Sequence, residues 1–343
     1  VNITIVGAGS MGTGVAAHLA SLGHKVKMWA REPEVAEGIN KDRVNHIFLK
    51  EVTLPEGIEA FTDMERSLQG AEVVVTAVPS RWTGSVIKEV ASYIAPQAGV
   101  LNLAKGFDYD TDQRLSVIIA NELKASNKIA VMSGPNLAEE IAKKLPGMTV
   151  IASEDTNLSK TLQREFSSNY FRVYTSTDVI GVEVGGAYKN IVAIAAGVLD
   201  GLGMGDNTKA GLIARGLAEM VRFGSALGAN PITFSGLSGI GDMIATGISR
   251  HSRNRSFGEN LGKGKLPQDA MDNPLMVVEG VFATRSVVRM AKDKGIEIPI
   301  AAAVHEVLEG KSSPNGMLDR LMTGKLEEEC EESLYRDFLL KKS

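Results

Sequence analysis

The chain has 343 residues, of which 44% are hydrophobic and 23% charged, enough apolar material for a sizeable core and for two domains, so disorder is excluded as its default state. A formal net charge of −4 leaves no global basic footprint for nucleic acid, and the one cysteine, Cys330, excludes an intramolecular disulfide and fits a reducing compartment. With no basic leader before the opening β-rich run and no uninterrupted apolar stretch of spanning length, a cytoplasmic protein without an integral membrane segment is expected.

The first half alternates β-rich runs with helical stretches. A strand at residues 2–6, a helix at 11–22 and a strand at 25–29 form a βαβ beginning. Further strands are expected at 59–61, 73–77, 100–103, 129–132 and 149–152, giving a mostly parallel, doubly wound α/β sheet. Around residues 176–181 the pattern changes to long stretches rich in Ala, Gly, Leu and Met, with helices expected at 183–200, 209–227, 283–294 and 301–308. The expected division is therefore a dinucleotide-type domain over 1–178 and an all-α domain over 179–343. The acidic run at 327–332 reads as a solvated helix face or terminal segment.

Gly7, Gly9 and Gly12 stand in GxGxxG spacing directly after the first strand and at the opening of the first helix. The first glycine permits the tight turn, the second lets a pyrophosphate approach the backbone, and the third lets helix and strand pack closely. Helix amides then face the diphosphate. After the second strand, Met28-Trp29-Ala30-Arg31-Glu32 lacks an acid at the strand end, where a ribose diol is commonly held. Arg31 either meets a 2′-phosphate, favouring NADPH or use of both nicotinamides, or is a surface cation. His18, in the same helix, reads as a surface or packing histidine.

Lys105 lies just past an apolar strand, at the edge where open α/β sheets bind ligands, and reads as a cleft residue or a solvated turn lysine. The segment Ser133-Gly134-Pro135-Asn136 joins a strand to a helix, so Asn136 either turns towards cofactor and substrate or caps the helix. Lys189 is a cation inside a small, apolar helical stretch, with Gly185 and Gly186 one turn before it, an arrangement that leaves space for a ligand. As ammonium it can protonate the alkoxide formed when hydride reaches a carbonyl, and in reverse the amine accepts that proton. The bland reading is a snorkelling helix lysine.

Asp242 follows a glycine-rich turn, with Thr246 one helical turn later; it either orients Lys189 or binds a substrate hydroxyl, or it caps a helix. His251-Ser252-Arg253-Asn254-Arg255 gathers donors suited to phosphate, with Arg253 pairing phosphate oxygens and Ser252 and Asn254 fixing its orientation, His251 being a neighbour; a solvated basic loop is the alternative.

The ordered set GAGSMG, LAKGF, SGPNLA, GGAYKN, GIGD, HSRNR and VVEG resembles the NAD(P)-dependent glycerol-3-phosphate dehydrogenase family across nearly the full chain. The resemblance implies a Rossmann-like N-terminal domain, a helical C-terminal domain, a homodimer, and reduction of dihydroxyacetone phosphate to sn-glycerol 3-phosphate for glycerophospholipid synthesis. By motif it implies Lys189 as proton donor and acceptor, and Lys105, Gly134, Asp242, Ser252, Arg253 and Asn254 at the substrate. It further implies NAD(P)(H) contact for Ser10, Met11, Arg31, Lys105, Ala138, Arg253, Val277 and Glu279. Two positions depart from the pattern: Met11 stands where tryptophan is frequent, and Asn136 where bacterial members commonly have serine.

Two other readings compete. A β-hydroxy-acid dehydrogenase would share the architecture and a helix-borne lysine, and it is the HSRNR cluster that favours phosphate. A nucleotide sensor would keep the glycine turn without assembling Lys105, Lys189 and Asp242. No spaced His/Cys/carboxylate set suggests a metal.

Overall fold

Near-continuous apolar runs such as Val73–Thr76 and Gly99–Asn102, buried at every position, demand a sheet covered on both faces. The computed structural model, which describes residues 1–271 and 277–323, supplies one. Its eight strands are β1 (Asn2–Val6), β2 (Lys25–Trp29), β3 (Ile58–Phe61), β4 (Val73–Thr76), β5 (Gly99–Asn102), β6 (Ile129–Ser133), β7 (Gly147–Ala152) and β8 (Phe171–Ser176). They lie in the order β3-β2-β1-β4-β5-β6-β7-β8, parallel throughout except for the antiparallel β6–β7 pair. Alternation divides the core: Val75 and Leu101 join Ile5 and Leu19 on one face, while Val74 and Val100 join Ile87 and Val90 on the other.

The helices of this layer are α1 (Ser10–Ser21), α2 (Pro33–Asp42), α3 (Met64–Leu68), α4 (Ser80–Val90), α5 (Leu115–Glu122), α6 (Ala138–Ala142) and α7 (Thr156–Phe166). The all-helical part comprises α8 (Val179–Gly201), α9 (Asp206–Ala226), α10 (Asp242–Ile248), α11 (Arg253–Gly262), α12 (Glu279–Lys294), α13 (Pro299–Leu308) and α14 (Pro314–Thr323). The described residues form two compact units, residues 1–108 with 113–179, and residues 109–112 with those beyond 179. β8 is absent from the sequence expectation. Only alternate residues of its first half are buried, and Arg172 and Tyr174 point outward, so an apolar-run reading passes over it.

Among the described helices α8 alone is long and apolar enough to cross a membrane, yet nearly all of it is buried inside the protein. Glycine brings α11 against it. A Cβ at Gly197 would lie 2.0 Å from the Arg255 carbonyl oxygen, and one at Gly258 would lie 2.0 Å from that of Ile194. Gly201 and Gly262 repeat the arrangement one turn on, so both helices present small residues at i, i+4 spacing. At the far side of α8, Tyr188 Oη donates to Glu219 Oε1 of α9 at 2.6 Å, and the same carboxylate accepts the Ile300 and Ala301 amides that open α13 at 2.7 and 2.8 Å.

The four residues 109–112 belong with the helical unit because Arg289 of α12 holds them. Its Nη2 donates to Tyr109 O at 2.7 Å and to Asp112 Oδ1 at 2.6 Å, and its Nε to Asp112 Oδ2 at 2.8 Å. The acidic run at 327–332, with Cys330, lies outside the described residues.

Candidate active site

The glycine turn has the geometry its spacing requires. Gly7 has φ +110°, and a Cβ there would come within 2.9 Å of the Ala77 carbonyl group. At Gly12 a Cβ would lie 2.0 Å from Gly7 O, so α1 starts tight against the strand before it, whereas at Gly9 a Cβ would meet nothing within 4 Å. Gly9 is the N-cap of α1. No side chain caps that end and no acid stands in the first turn, so the positive end of the helix dipole meets this open space uncompensated.

Ser10 Oγ donates to Phe48 O at 2.8 Å, and Met11 packs on the sheet core. Ala138 opens α6 beside α1, its carbonyl oxygen 2.6 Å from where a Cβ on Gly14 would stand. Arg31 is an exposed cation, its Nε donating to Glu32 Oε1 at 2.9 Å. His18 is a packing residue: it is buried, with Nε2–H donating to Phe166 O at 2.7 Å and Nδ1 accepting from Tyr170 Oη at 3.0 Å. Burial lowers its pKa.

At the carboxyl edge of the sheet, Lys105 Nζ donates to Gly134 O at 2.8 Å, which brings two expected substrate residues together. Gly134 has φ +146°, and a Cβ there would lie 3.1 Å from Thr149 Cα, so its missing side chain lets the chain pass close to β7. Asn136 is not a helix cap. α6 has Leu137 at its N-cap, and the Asn136 amide instead donates to Met148 O at 3.3 Å and accepts from Thr149 Oγ1 at 2.9 Å.

In the helical unit, Lys189 Nζ donates to Thr246 Oγ1 at 2.8 Å and lies 3.1 Å from Asp242 Oδ1, while Thr246 Oγ1 donates to Asp242 Oδ1 at 3.0 Å. All three are buried, the lysine side chain being 9% exposed and the aspartate 3%. α10 places Asp242 and Thr246 on one face, one turn apart. The turn before it explains the closeness to α8. Leu237–Gly241 is a π-helical turn kinked at Gly239, and a Cβ at Gly185 would lie 2.3 Å from Ser238 O. The space expected to receive a ligand at Gly185 is therefore filled by backbone, and what the missing side chain permits is the approach of the segment carrying Asp242. Asp242 is not the cap of α10 either, since Gly241 holds that position and the carboxylate serves Lys189 and Thr246.

The segment expected to gather phosphate donors opens a helix. Ser252 is the N-cap of α11, its Oγ accepting Arg255 N–H at 3.2 Å. Asn254 donates to Asn190 Oδ1 at 2.8 Å and accepts Gly280 N–H at 2.9 Å, so it links α8, α11 and α12. Neither side chain fixes Arg253 as expected. Arg253 stands exposed in the first turn of α11; the protein mass around its head group partly desolvates the cation and lowers its pKa, with Glu279 acting in the opposite direction. Glu279 opens α12 and Val277 lies two residues before it, both half-buried; His251 is exposed. Asn190 escaped the sequence reading, although an amide in an otherwise apolar helix signals a buried group in need of partners.

Family models match almost the whole described chain. The model of the NAD-dependent glycerol-3-phosphate dehydrogenase N-terminus matches residues 2–159, and that of the C-terminus matches residues 178–319. The chain belongs to this family. It is 43% identical over 330 residues to a glycerol-3-phosphate dehydrogenase (NAD(P)+) of Geobacillus thermodenitrificans, covering 95% of this chain and 96% of that one. A relative of the same description from Chlorobium phaeobacteroides is 44% identical over 326 residues, covering 94% and 97%. The crystal structure of glycerol-3-phosphate dehydrogenase from Coxiella burnetii superposes with a TM-score of 0.91 at 36% identity, covering 94% of this chain and 99% of that one. The chain is thus an NAD(P)-dependent oxidoreductase with a Rossmann-like sheet and a helical C-terminal domain.

Proposed function

We propose that this member interconverts dihydroxyacetone phosphate and sn-glycerol 3-phosphate, with Lys189 as proton donor and acceptor. The observation that carries the assignment of the lysine is its enclosure with Asp242 and Thr246, a buried ammonium whose partners fix its direction. When bound, the reduced nicotinamide supplies the hydride to the carbonyl carbon. The Lys189 ammonium gives a proton to the oxygen as charge develops there, and in the oxidative direction the neutral amine takes it back. Asp242 steadies the cation and Thr246 fixes its approach.

In this reading residues 1–178 bind the cofactor and 179–343 carry the substrate chemistry. Gly7, Gly9, Ser10, Met11 and Gly12 receive the dinucleotide, with Arg31, Ala138, Val277 and Glu279 along it. Arg253 and the amides of the α11 N-terminus hold the substrate phosphate beside Ser252 and Asn254, and Lys105, Gly134 and Asn136 complete the substrate side. An exposed Arg31 paired with Glu32 suits use of both NADPH and NADH. The family resemblance supports a cytoplasmic homodimer supplying glycerophospholipid synthesis.

The test follows nicotinamide absorbance with wild type and Lys189→Ala, using dihydroxyacetone phosphate with NADPH or NADH and dihydroxyacetone as control. Phosphate-dependent oxidation by wild type, reduced about 10²–10⁴-fold in the folded variant, is expected. No turnover by wild type with either cofactor would overturn the reaction, and full activity in the variant would remove Lys189 from it.

A further inference from the structure

Asn45 lies in the loop between α2 and β3, far in sequence from every motif discussed above, and is fully buried. Its Nδ2 donates to Ala8 O at 2.9 Å and to Thr13 Oγ1 at 2.8 Å. Its Oδ1 accepts Ile47 N–H at 3.3 Å and Phe48 N–H at 3.0 Å. Two donors meet acceptors and two lone pairs meet donors, so the capacity of the amide is used in full and its orientation is fixed by chemistry. Around it, Thr13 Oγ1 also donates to Ala8 O at 3.3 Å, and Ser10 Oγ reaches the Phe48 carbonyl of the same loop. Leu49, Val52 and Leu54 are buried in the sheet core, so the loop is anchored along its length.

Ala8 lies between the two glycines of the turn. In a trans peptide the C=O of one residue and the N–H of the next point in opposite directions. By gripping Ala8 O from inside, Asn45 turns the Gly9 N–H outward, at a residue that borders open space where a Cβ would touch nothing within 4 Å. A flip of this peptide would carry Gly9 from φ −72° to positive φ, which glycine tolerates, so the turn does not hold this orientation by sterics at Gly9.

We infer that Asn45 is a positioning residue for the dinucleotide site: it fixes the Ala8–Gly9 peptide so that the Gly9 amide is presented to the diphosphate of the cofactor. The inference rests on the glycine turn being the cofactor site. It assigns to Asn45 a part in binding the diphosphate group and none in hydride or proton transfer.

Asn45→Asp keeps the acceptor that holds Ile47 and Phe48 but, as carboxylate, cannot donate to Ala8 O. Affinity for NADPH, for ADP and for adenosine is measured by calorimetry or ligand-observed NMR at pH 8, with circular dichroism as the check on folding. For the folded variant we expect NADPH and ADP to bind at least about tenfold more weakly, with adenosine unchanged and kcat at saturating cofactor retained. Unaltered NADPH affinity would overturn the inference, and so would an equal loss for adenosine, which marks a general loosening of the fold. If Asn45→Asp does not fold, Asn45→Ala, which also lacks the donor to Ala8 O, decides: a loss confined to the diphosphate ligands supports the role, and none overturns it. Failure of wild type to bind NADPH would refute the cofactor site itself, an outcome distinct from either.

Discussion

The two units make their sites from different material. In the sheet unit the dinucleotide turn is backbone: missing Cβ atoms at Gly7 and Gly12, an uncapped helix end, and a buried amide, Asn45, that holds a carbonyl oxygen of the turn. In the helical unit the centre is a charge pair enclosed by helices, Lys189 with Asp242. A backbone site fails when something is added to it. A site of buried charge fails when one member is taken away, because the other stays desolvated without its counter-ion.

The largest effect should therefore come from truncating the charge pair. Asp242→Ala leaves Lys189 buried without its carboxylate, and we expect a loss of about 3–5 kcal/mol in stability together with a fall in kcat of about 100-fold or more. Denaturant unfolding and steady-state kinetics read both; a variant as stable and active as wild type would break the comparison at its centre.

Gly12→Ala probes the opposite vulnerability. One added methyl group meets Gly7 O at 2.0 Å, so helix and strand must separate, at a cost of about 1–3 kcal/mol and with weaker NADPH binding. The kcat with saturating cofactor should change far less than KM for NADPH. A KM equal to that of wild type would show that the turn tolerates what its geometry forbids.

The smallest effects, and the ones that separate the units by sign, concern pH. Burial lowers the His18 pKa in the folded protein, so its contribution is whole above the unfolded imidazole value and is lost as pH falls through that value towards the folded one. Burial raises the Glu219 pKa, with its hydrogen bonds opposing, so its contribution is whole below the unfolded carboxyl value and is lost as pH rises through the folded one. Melting temperatures of wild type, His18→Gln and Glu219→Gln across acid to neutral pH should show the wild-type advantage over the first variant shrinking on acidification and that over the second shrinking on alkalinisation. Parallel profiles would contradict both assignments.

The same division governs what the sequence made legible. The glycine turn was readable because strand, turn and helix are contiguous and each glycine has a local reason. Lys189 stood out as a cation among small apolar residues, but its partner Thr246 lies 57 residues away, and only the fold shows that the gap at Gly185 admits backbone and not ligand. Asn254 and Ser252 were singled out correctly as polar groups near a basic residue, yet their bonds run to Asn190, Gly280 and Arg255, which no spacing rule contains. β8 was missed since an edge strand buries only alternate residues, and Asn45 because nothing in its neighbourhood marks an amide that grips a turn 37 residues earlier.

The Arg289 clasp on residues 109–112 bears on the order in which the chain is made. Sheet units at the N-terminal side of a protein generally fold during synthesis, ahead of domains nearer the C-terminus. Here the emerging polypeptide leaves that unit after Asp108, contributes four residues to a body not yet synthesised, and returns at Gln113 to supply α5 and the strands beyond. Asp112 then waits for an arginine 177 residues further along, so this short excursion closes only after α12 has left the ribosome.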